Sequence, residues 1–431
     1  MKLIKNPTPQ GIETFLAQRN QGTNKEINKQ VENIVKDVRN FKDEALFKYS
    51  TLFDQVTLSA FKVSDEEIKQ AFNQVDDALY NTLKLAVKNI TEYHEKQGYT
   101  SFEYTREDGT VLGQKVSAIE SVGIYVPGGT ASYPSTVLMN AIPAKIAQVK
   151  KIVMITPPNK DGSIKPSILV AASLSGVDEI YKVGGAHGIA SLAYGTESIP
   201  KVDKIVGPGN IYVSIAKKQV FGDVGIDMIA GPSEILIIAE EDNNPKFIAA
   251  DLFAQAEHDT LASSILITPS LALALEVKDE IEKSISTYER HEIIAQSLFE
   301  FGLIIVVDTI EEAIRLSNHV APEHLELLTK DPFALLPLIQ NAGSIFLGPY
   351  TPEAVGDYLG GPNHTLPTSQ TARFSSPLST ADFQKKSSYI YTPQSVLKKY
   401  QTPIADFANE EGLTAHARSV TIRFKEESHE N

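Results

Sequence analysis

Nine histidines punctuate the chain, and several stand beside carboxylates or amides in patterns suited to acid–base or metal chemistry. Ala321-Pro322-Glu323-His324 pairs an imidazole with the adjacent carboxylate, a suitable general acid–base couple near neutral pH. Gln255-Ala256-Glu257-His258 puts an amide oxygen and an imidazole at i and i+3, on one face if the segment is helical. Gly356-Asp357-Tyr358 through Gly361-Pro362-Asn363-His364 reads as a glycine-rich loop carrying one carboxylate and one imidazole. Glu411-Gly412-Leu413-Thr414-Ala415-His416 adds another such couple near the end of the chain.

Zinc would accept nitrogen from His258 and His416 and oxygen from Gln255 and Asp357. The same donors suit manganese or iron, so their chemistry leaves the metal open. Each motif also has a plainer reading: a lone Gln–His pair on a helix is more often a satisfied surface pair than a ligand set. The chain contains no cysteine. That excludes disulfides, thiolate-ligated zinc, iron–sulfur clusters and a thiol nucleophile.

The elements that must position these groups alternate. Ser121–Val126, Lys151–Thr156, Glu179–Val183 and Val202–Val206 are short Val- and Ile-rich runs. Helical patterns at 136–147, 166–174, 188–193 and 211–220 separate them, which argues βαβ units and a parallel sheet. Past Gly231-Pro232 the alternation resumes. Strands are predicted at 263–268, 303–307, 324–328 and 344–347, and helices at 245–257, 273–284 and 310–317. Two α/β layers with a boundary near residue 233 follow. Three glycine turns close strands of the first layer: Val126-Pro127-Gly128-Gly129-Thr130, Val183-Gly184-Gly185-Ala186-His187-Gly188 and Val206-Gly207-Pro208-Gly209-Asn210. Ligands of open α/β sheets bind beyond strand carboxyl ends, and Asn210 is placed to cap the next helix. A single such turn merely permits tight packing about as often as it binds phosphate; three on one edge favour a crevice.

Ser64-Asp65-Glu66-Glu67 has capping-box spacing. Behind it Ile68, Phe72, Val75, Leu79, Leu83, Val87 and Ile90 predict one long amphipathic helix. At about 150 residues per domain, 431 residues make two to three domains. A formal charge of −14 disfavours nucleic acid and anionic membrane as partners. The N-terminus lacks a signal-peptide pattern and no run reaches about 18 apolar residues, so a cytoplasmic protein is expected. The last fifty residues read as poor in apolar runs, ending in a frayed polar tail, Lys425 to Asn431.

Taken in order, these motifs resemble the histidinol dehydrogenase family, zinc enzymes of histidine biosynthesis. The blocks are Tyr125-Val126-Pro127-Gly128-Gly129, Gly207-Pro208-Gly209-Asn210, Ala230-Gly231-Pro232-Ser233-Glu234, Gln255 to His258, Ala321-Pro322-Glu323-His324, Gly356-Asp357-Tyr358, Gly361 to Thr368 and Glu411 to His416. The likeness spans nearly the whole chain.

The resemblance implies an α/β fold of two Rossmann-like α/β domains with an N-terminal helical region and a C-terminal extension. Residues 1–22 would be an N-terminal extension. Residues 23–118 and 234–375 would form a domain bearing the Glu-His pair and most metal ligands. Residues 119–233 would bind NAD, and 376–431 would cross to a dimer partner. The implied activity is oxidation of L-histidinol through L-histidinal to L-histidine with two NAD reduced. One Zn²⁺ per subunit would be held by Gln255, His258, Asp357 and His416. Glu323 and His324 would be the acid–base pair. Ser233, His364 and Glu411 would contact substrate together with the ligands and that pair. Tyr125, His187 and Asn210 would contact NAD, with His187 standing where many family members have Gln. The partners implied are the small-molecule substrate and a second copy sharing active sites in a homodimer. Rival readings are a zinc hydrolase working without NAD, a binding protein without turnover, and a dehydrogenase of another amino alcohol or a sulfonate diol.

Overall fold

The computed structural model describes residues 1–19, 25–128 and 133–424. Gly129 and Thr130 of the first glycine turn, and the polar tail from Lys425, lie outside the described residues. The fold is mixed α/β with two parallel sheets. One sheet runs Lys2–Lys5, Gly302–Val306, Ser263–Thr268, Glu234–Ala239, His324–Leu328, Ser344–Leu347 from edge to edge. The other runs Glu179–Lys182, Lys151–Thr156, Ser121–Tyr125, Lys204–Val206, Gly225–Ile226. Parallel sheets carry helices on both faces, so their strands read as continuous apolar runs. Ile235 and Ile237 pack into one core and Leu236 and Ile238 into another, as the strand's alternation requires.

Both sheets reverse their strand order beside a central strand, Ser121–Tyr125 in one and Glu234–Ala239 in the other. The two reversal points serve the site from opposite ends. The glycine turns leave the carboxyl ends of the five-stranded sheet. Ser233 and Glu323-His324 stand at the amino ends of Glu234–Ala239 and His324–Leu328.

The long helix expected behind Ser64 is two helices, Asp65–Gln74 and Asp77–His94. The capping box at Ser64 and Glu67 forms. Asp76 then starts a second helix, its carboxylate accepting from the Leu79 N–H at 2.7 Å. Apolar periodicity continued across the break because Val75 still packs on the core.

The segment assignments also shift. Lys2–Lys5 is an edge strand and Pro9–Arg19 packs on Ile310–Val320, so the first 19 residues belong to the six-stranded layer. Helices Lys25–Tyr49, Asp65–Gln74 and Asp77–His94 pack on helices of the five-stranded sheet, and Asp77–His94 also meets residues 359–363 through Asn89 and His94. Their apolar faces match that sheet's helices, which sequence order does not show.

The chain divides into two compact units, Met1–Gln97 with Ile119–Phe383, and Gly98–Ala118 with Gln384–Asn431. The smaller unit is an antiparallel sheet of Phe102–Thr105, Val111–Ala118 and Gln384–Tyr391, together with helices Gln394–Glu410 and Thr414–Thr421 that pack on each other. Its apolar residues are spaced at helical period, which is why no run was visible there.

Candidate active site

Strand His324–Leu328 begins at His324, beside the start of Glu234–Ala239. The ring is 4% exposed, and its Nδ1 lies 3.0 Å from the Glu234 main-chain oxygen. A carbonyl can only accept, so Nδ1 carries the proton and Nε2 keeps the lone pair. Burial pushes the ring's pKa down to about 3, with His258 and His364 adding to the shift, so the imidazole is neutral. Glu323 precedes it, its Oε2 accepting from the Glu234 N–H at 2.8 Å and lying 3.8 Å from His324 Nδ1. Glu234 therefore orients both members of the pair through its own backbone.

Helix Glu353–Tyr358 brings two carboxylates to one side by i,i+4 spacing. One ligand atom each from His258, Glu353 and Asp357 lies within 4.8 Å of the others. Burial raises the Glu353 pKa well above the ordinary range, with Asp357, Glu323 and Glu326 repelling its charge. Burial also raises Asp357 to about 6. Behind them, burial and Asp251 push Glu326 up. Its Oε1 accepts from the Glu353 N–H at 2.9 Å. Gln255 is fully buried. Its Oε1 lies 3.0 Å from His324 Nδ1, so it shares with the Glu234 carbonyl the proton that Nδ1 carries.

These groups line a cavity of about 290 Å³. Ser233, Gln255, His258, Glu323, His324, Glu353, Asp357 and His364 come from the six-stranded side, Pro127, Pro208 and Asn210 from the five-stranded side. The His364 loop is anchored by Asn363, whose Nδ2 donates to Met139 O at 2.6 Å and to His94 Nε2 at 3.2 Å.

A second cavity, of about 790 Å³, opens at the carboxyl end of the five-stranded sheet. Tyr125, Gly128, Gly185, His187 and Asn210 line it, joined by Phe53 and Asp54 from a π-helical turn, Ser50–Asp54. Tyr125 is buried, which raises its hydroxyl to about 12, and it accepts from the Gly185 N–H at 3.3 Å. Asn210 Oδ1 caps the next helix, accepting from Tyr212 and Val213 N–H at 3.1 and 3.2 Å. His187 is 1% exposed, and neither its ring nitrogens nor Asp54 Oδ2 has a hydrogen-bond partner among the described residues.

The profile described as Histidinol dehydrogenase matches residues 17–424. A histidinol dehydrogenase of Clostridium acetobutylicum is 56% identical over 427 residues, 99% of each chain. The chain belongs to the histidinol dehydrogenase family. One from Bacillus subtilis is 52% identical over 422 residues, covering 97% of this chain and 99% of its own. The crystal structure of histidinol dehydrogenase from Elizabethkingia anophelis superposes with a TM-score of 0.93, at 38% identity over 98% of both chains.

Of the residues expected from the family resemblance, Gln255, His258, Asp357, Glu323, His324, Ser233 and His364 share the smaller cavity. Tyr125 and His187 line the larger, and Asn210 borders both. Glu411 and His416 lie in the smaller unit, exposed beside its own apolar groove. Two local expectations are corrected. His258 is past the helix end at Ala256, its N–H donating to Gln255 O at 3.2 Å, so the pair meets across a turn rather than on a helix face. Asp357 is on a short helix rather than a loop, since Pro352 starts one there. Glu353 was missed, although a carboxylate four residues before Asp357 is a readable i,i+4 signal. Glu326 and the orienting backbone of Glu234 left no local signal.

Proposed function

We propose that this chain is a zinc- and NAD-dependent histidinol dehydrogenase that oxidises L-histidinol through L-histidinal to L-histidine, with two NAD reduced. The observation that carries the reading is a neutral imidazole, locked with Nε2 as acceptor, in the same cavity as a His258–Glu353–Asp357 cluster and the Asn210 turn.

The donor set fits a divalent cation. Buried carboxylates crowd together, and leaving them uncompensated is costly. Imidazole and carboxylate donors suit zinc. Gln255, His258 and Asp357 would hold the ion, Glu353 would share in its coordination or balance its charge, and His416 of a second copy would complete the set. The larger cavity fits a dinucleotide in size, and Tyr125, Gly185 and Asn210 line it. Zinc, when bound, supplies a template for the substrate's amine and imidazole, and NAD the two-electron acceptor.

The chain's own groups then act in order. His324 Nε2 takes the hydroxyl proton as the carbon loses its hydride, leaving an aldehyde. Glu323 takes a proton from water as that water adds to the carbonyl carbon, while protonated His324 returns its proton to the carbonyl oxygen, giving a gem-diol and leaving His324 neutral again. His324 takes the diol proton as the second hydride departs, leaving the acid. With no cysteine in the chain, hydration is the available route from aldehyde to acid. Ser233, His364 and Glu411 would contact the substrate. The exposure of Glu411 and His416 in their own unit supports a homodimer in which each copy lends them to the other. Residues 119–233 would be the cofactor-binding domain. A cytoplasmic location agrees with the cysteine-free composition, and among the described residues no helix is long and apolar enough to cross a membrane.

The test is NADH formation from L-histidinol before and after chelation. Two NADH per substrate, lost with the metal and restored by zinc, are expected. Substrate conversion without NADH would overturn the reading.

A further inference from the structure

Lys217 and Asp227 form an ion pair whose side chains are only 3% and 1% exposed. Neither lines either cavity. A buried ion pair adds little net stability, because desolvation offsets the attraction and apolar residues of similar volume often serve as well. What this pair contributes is geometry. Lys217 Nζ donates to Gly207 O at 3.0 Å, and Asp227 Oδ2 accepts from the Gly207 N–H at 2.8 Å. Asp227 Oδ1 accepts from the Met228 N–H at 2.6 Å. Both main-chain groups of a single glycine are thus held by opposite ends of one buried pair.

That glycine is under constraint. Its φ is +112°, and a Cβ there would come 2.2 Å from Tyr125 O. Gly207 opens the turn that ends at Asn210, and Asn210 caps the helix Ile211–Val220 on which Lys217 lies. The lysine reaches back along its own helix to the turn that starts it, closing a ring. Tyr125 is the other side of the close approach, and it takes the Gly185 N–H of a second glycine turn.

We propose that Lys217 and Asp227 are positioning residues that hold the Gly207–Asn210 turn in its cofactor-binding shape before the dinucleotide arrives. The proposal rests on the reading that NAD occupies the larger cavity. Preorganisation of this kind lowers the ordering cost of binding, so its loss appears as weaker cofactor affinity.

The double variant Lys217→Met/Asp227→Val removes both charges together, so no buried charge is left unpaired. Calorimetric titration of the zinc-loaded protein with NAD is expected to show binding weakened ~10-fold or more. Zinc content should stay close to wild type, since its holders come from the six-stranded side, while the melting temperature falls because the Gly207 and Met228 main-chain groups lose their partners. Should the double variant not fold, Lys217→Arg keeps the charge but cannot place a donor at the same point. It is expected to weaken NAD several-fold with zinc content unchanged. Unchanged NAD affinity in a folded variant overturns the proposal. So does a parallel loss of NAD affinity and zinc content, which is the mark of a merely structural role. Wild-type protein that does not bind NAD overturns the underlying reading and this proposal with it.

Discussion

The Nδ1 of His324 rests 3.0 Å from the main-chain oxygen of Glu234, so a backbone group of one strand sets the tautomer of the first side chain of its neighbour. The buried Gln255 Oε1, also 3.0 Å from Nδ1, favours the same tautomer, so a main-chain carbonyl and one amide together aim the ring's lone pair. Replacing His324 by Ala is expected to lower kcat by about 100- to 10,000-fold, the usual contribution of a positioned base. Zinc content should be retained. Steady-state NADH formation with metal analysis of the same preparation checks both; turnover near wild type would remove His324 from its role.

Glu353 is buried among like charges, and burial with its carboxylate neighbours raises its pKa. Glu353→Gln removes one charge at nearly constant volume. The metal-free variant is expected to melt higher than metal-free wild type, while zinc binds about 10- to 100-fold more weakly. Thermal melts with and without zinc measure the two effects, which have opposite signs. A variant that melts lower without zinc and binds it as tightly would show that Glu353 only packs.

His258 stands on a turn after the helix end and is one third of the donor cluster. His258→Ala should lose zinc on purification and bind L-histidinol weakly, with its circular dichroism unchanged. Full metal content in that variant would count against the site.

Asp54 lines the larger cavity, its Oδ2 buried 3.7 Å from His187 Nε2. A dinucleotide with an extra phosphate meets that charge in a partly water-excluded space. Asp54→Asn is therefore expected to improve the NADP-to-NAD affinity ratio by ~10-fold, by removing the repulsive element. Equal ratios in variant and wild type, read by calorimetry, would place the carboxylate away from the phosphate.

His94 is fully buried, and that burial lowers its pKa. Its Nδ1–H donates to Ile90 O at 2.9 Å, leaving Nε2 to accept from Asn363. The folded state thus holds the neutral ring, whereas the unfolded chain takes up a proton below about pH 6.5. The unfolded state then binds more protons, so this contribution to stability is complete above that pH and is lost as pH falls toward the folded pKa. In denaturant melts between about pH 7 and about pH 5, wild type should lose stability more steeply than His94→Gln. Parallel slopes would show that other groups govern acid sensitivity.

Strand and helix positions across residues 121–347 were legible because buried parallel strands are short apolar runs separated by amphipathic stretches. Lys151–Thr156, Ser263–Thr268, His324–Leu328 and Ser344–Leu347 were bounded to the residue. Glu234–Ala239, the central strand of its sheet, passed unread although all six residues are buried. It follows a Gly-Pro turn directly, and a short apolar run there has no period to mark it. The antiparallel strands of the smaller unit were also missed, because most of their side chains are exposed or half-buried.

The order of motifs along the chain was enough to name the family and most of the cavity-lining residues, because those depend on residue type and local spacing. Folding in three dimensions decided the rest. It set which sheet edges face each other, the carboxyl ends of one and the amino ends of the other. It brought Glu353 beside His258 across about a hundred residues, and it made a carbonyl of Glu234 and a buried Lys217–Asp227 pair into orienting groups. Hydrogen bonds of that kind are made by backbone atoms or by residues far apart in the chain, and neither leaves a trace in side-chain spacing.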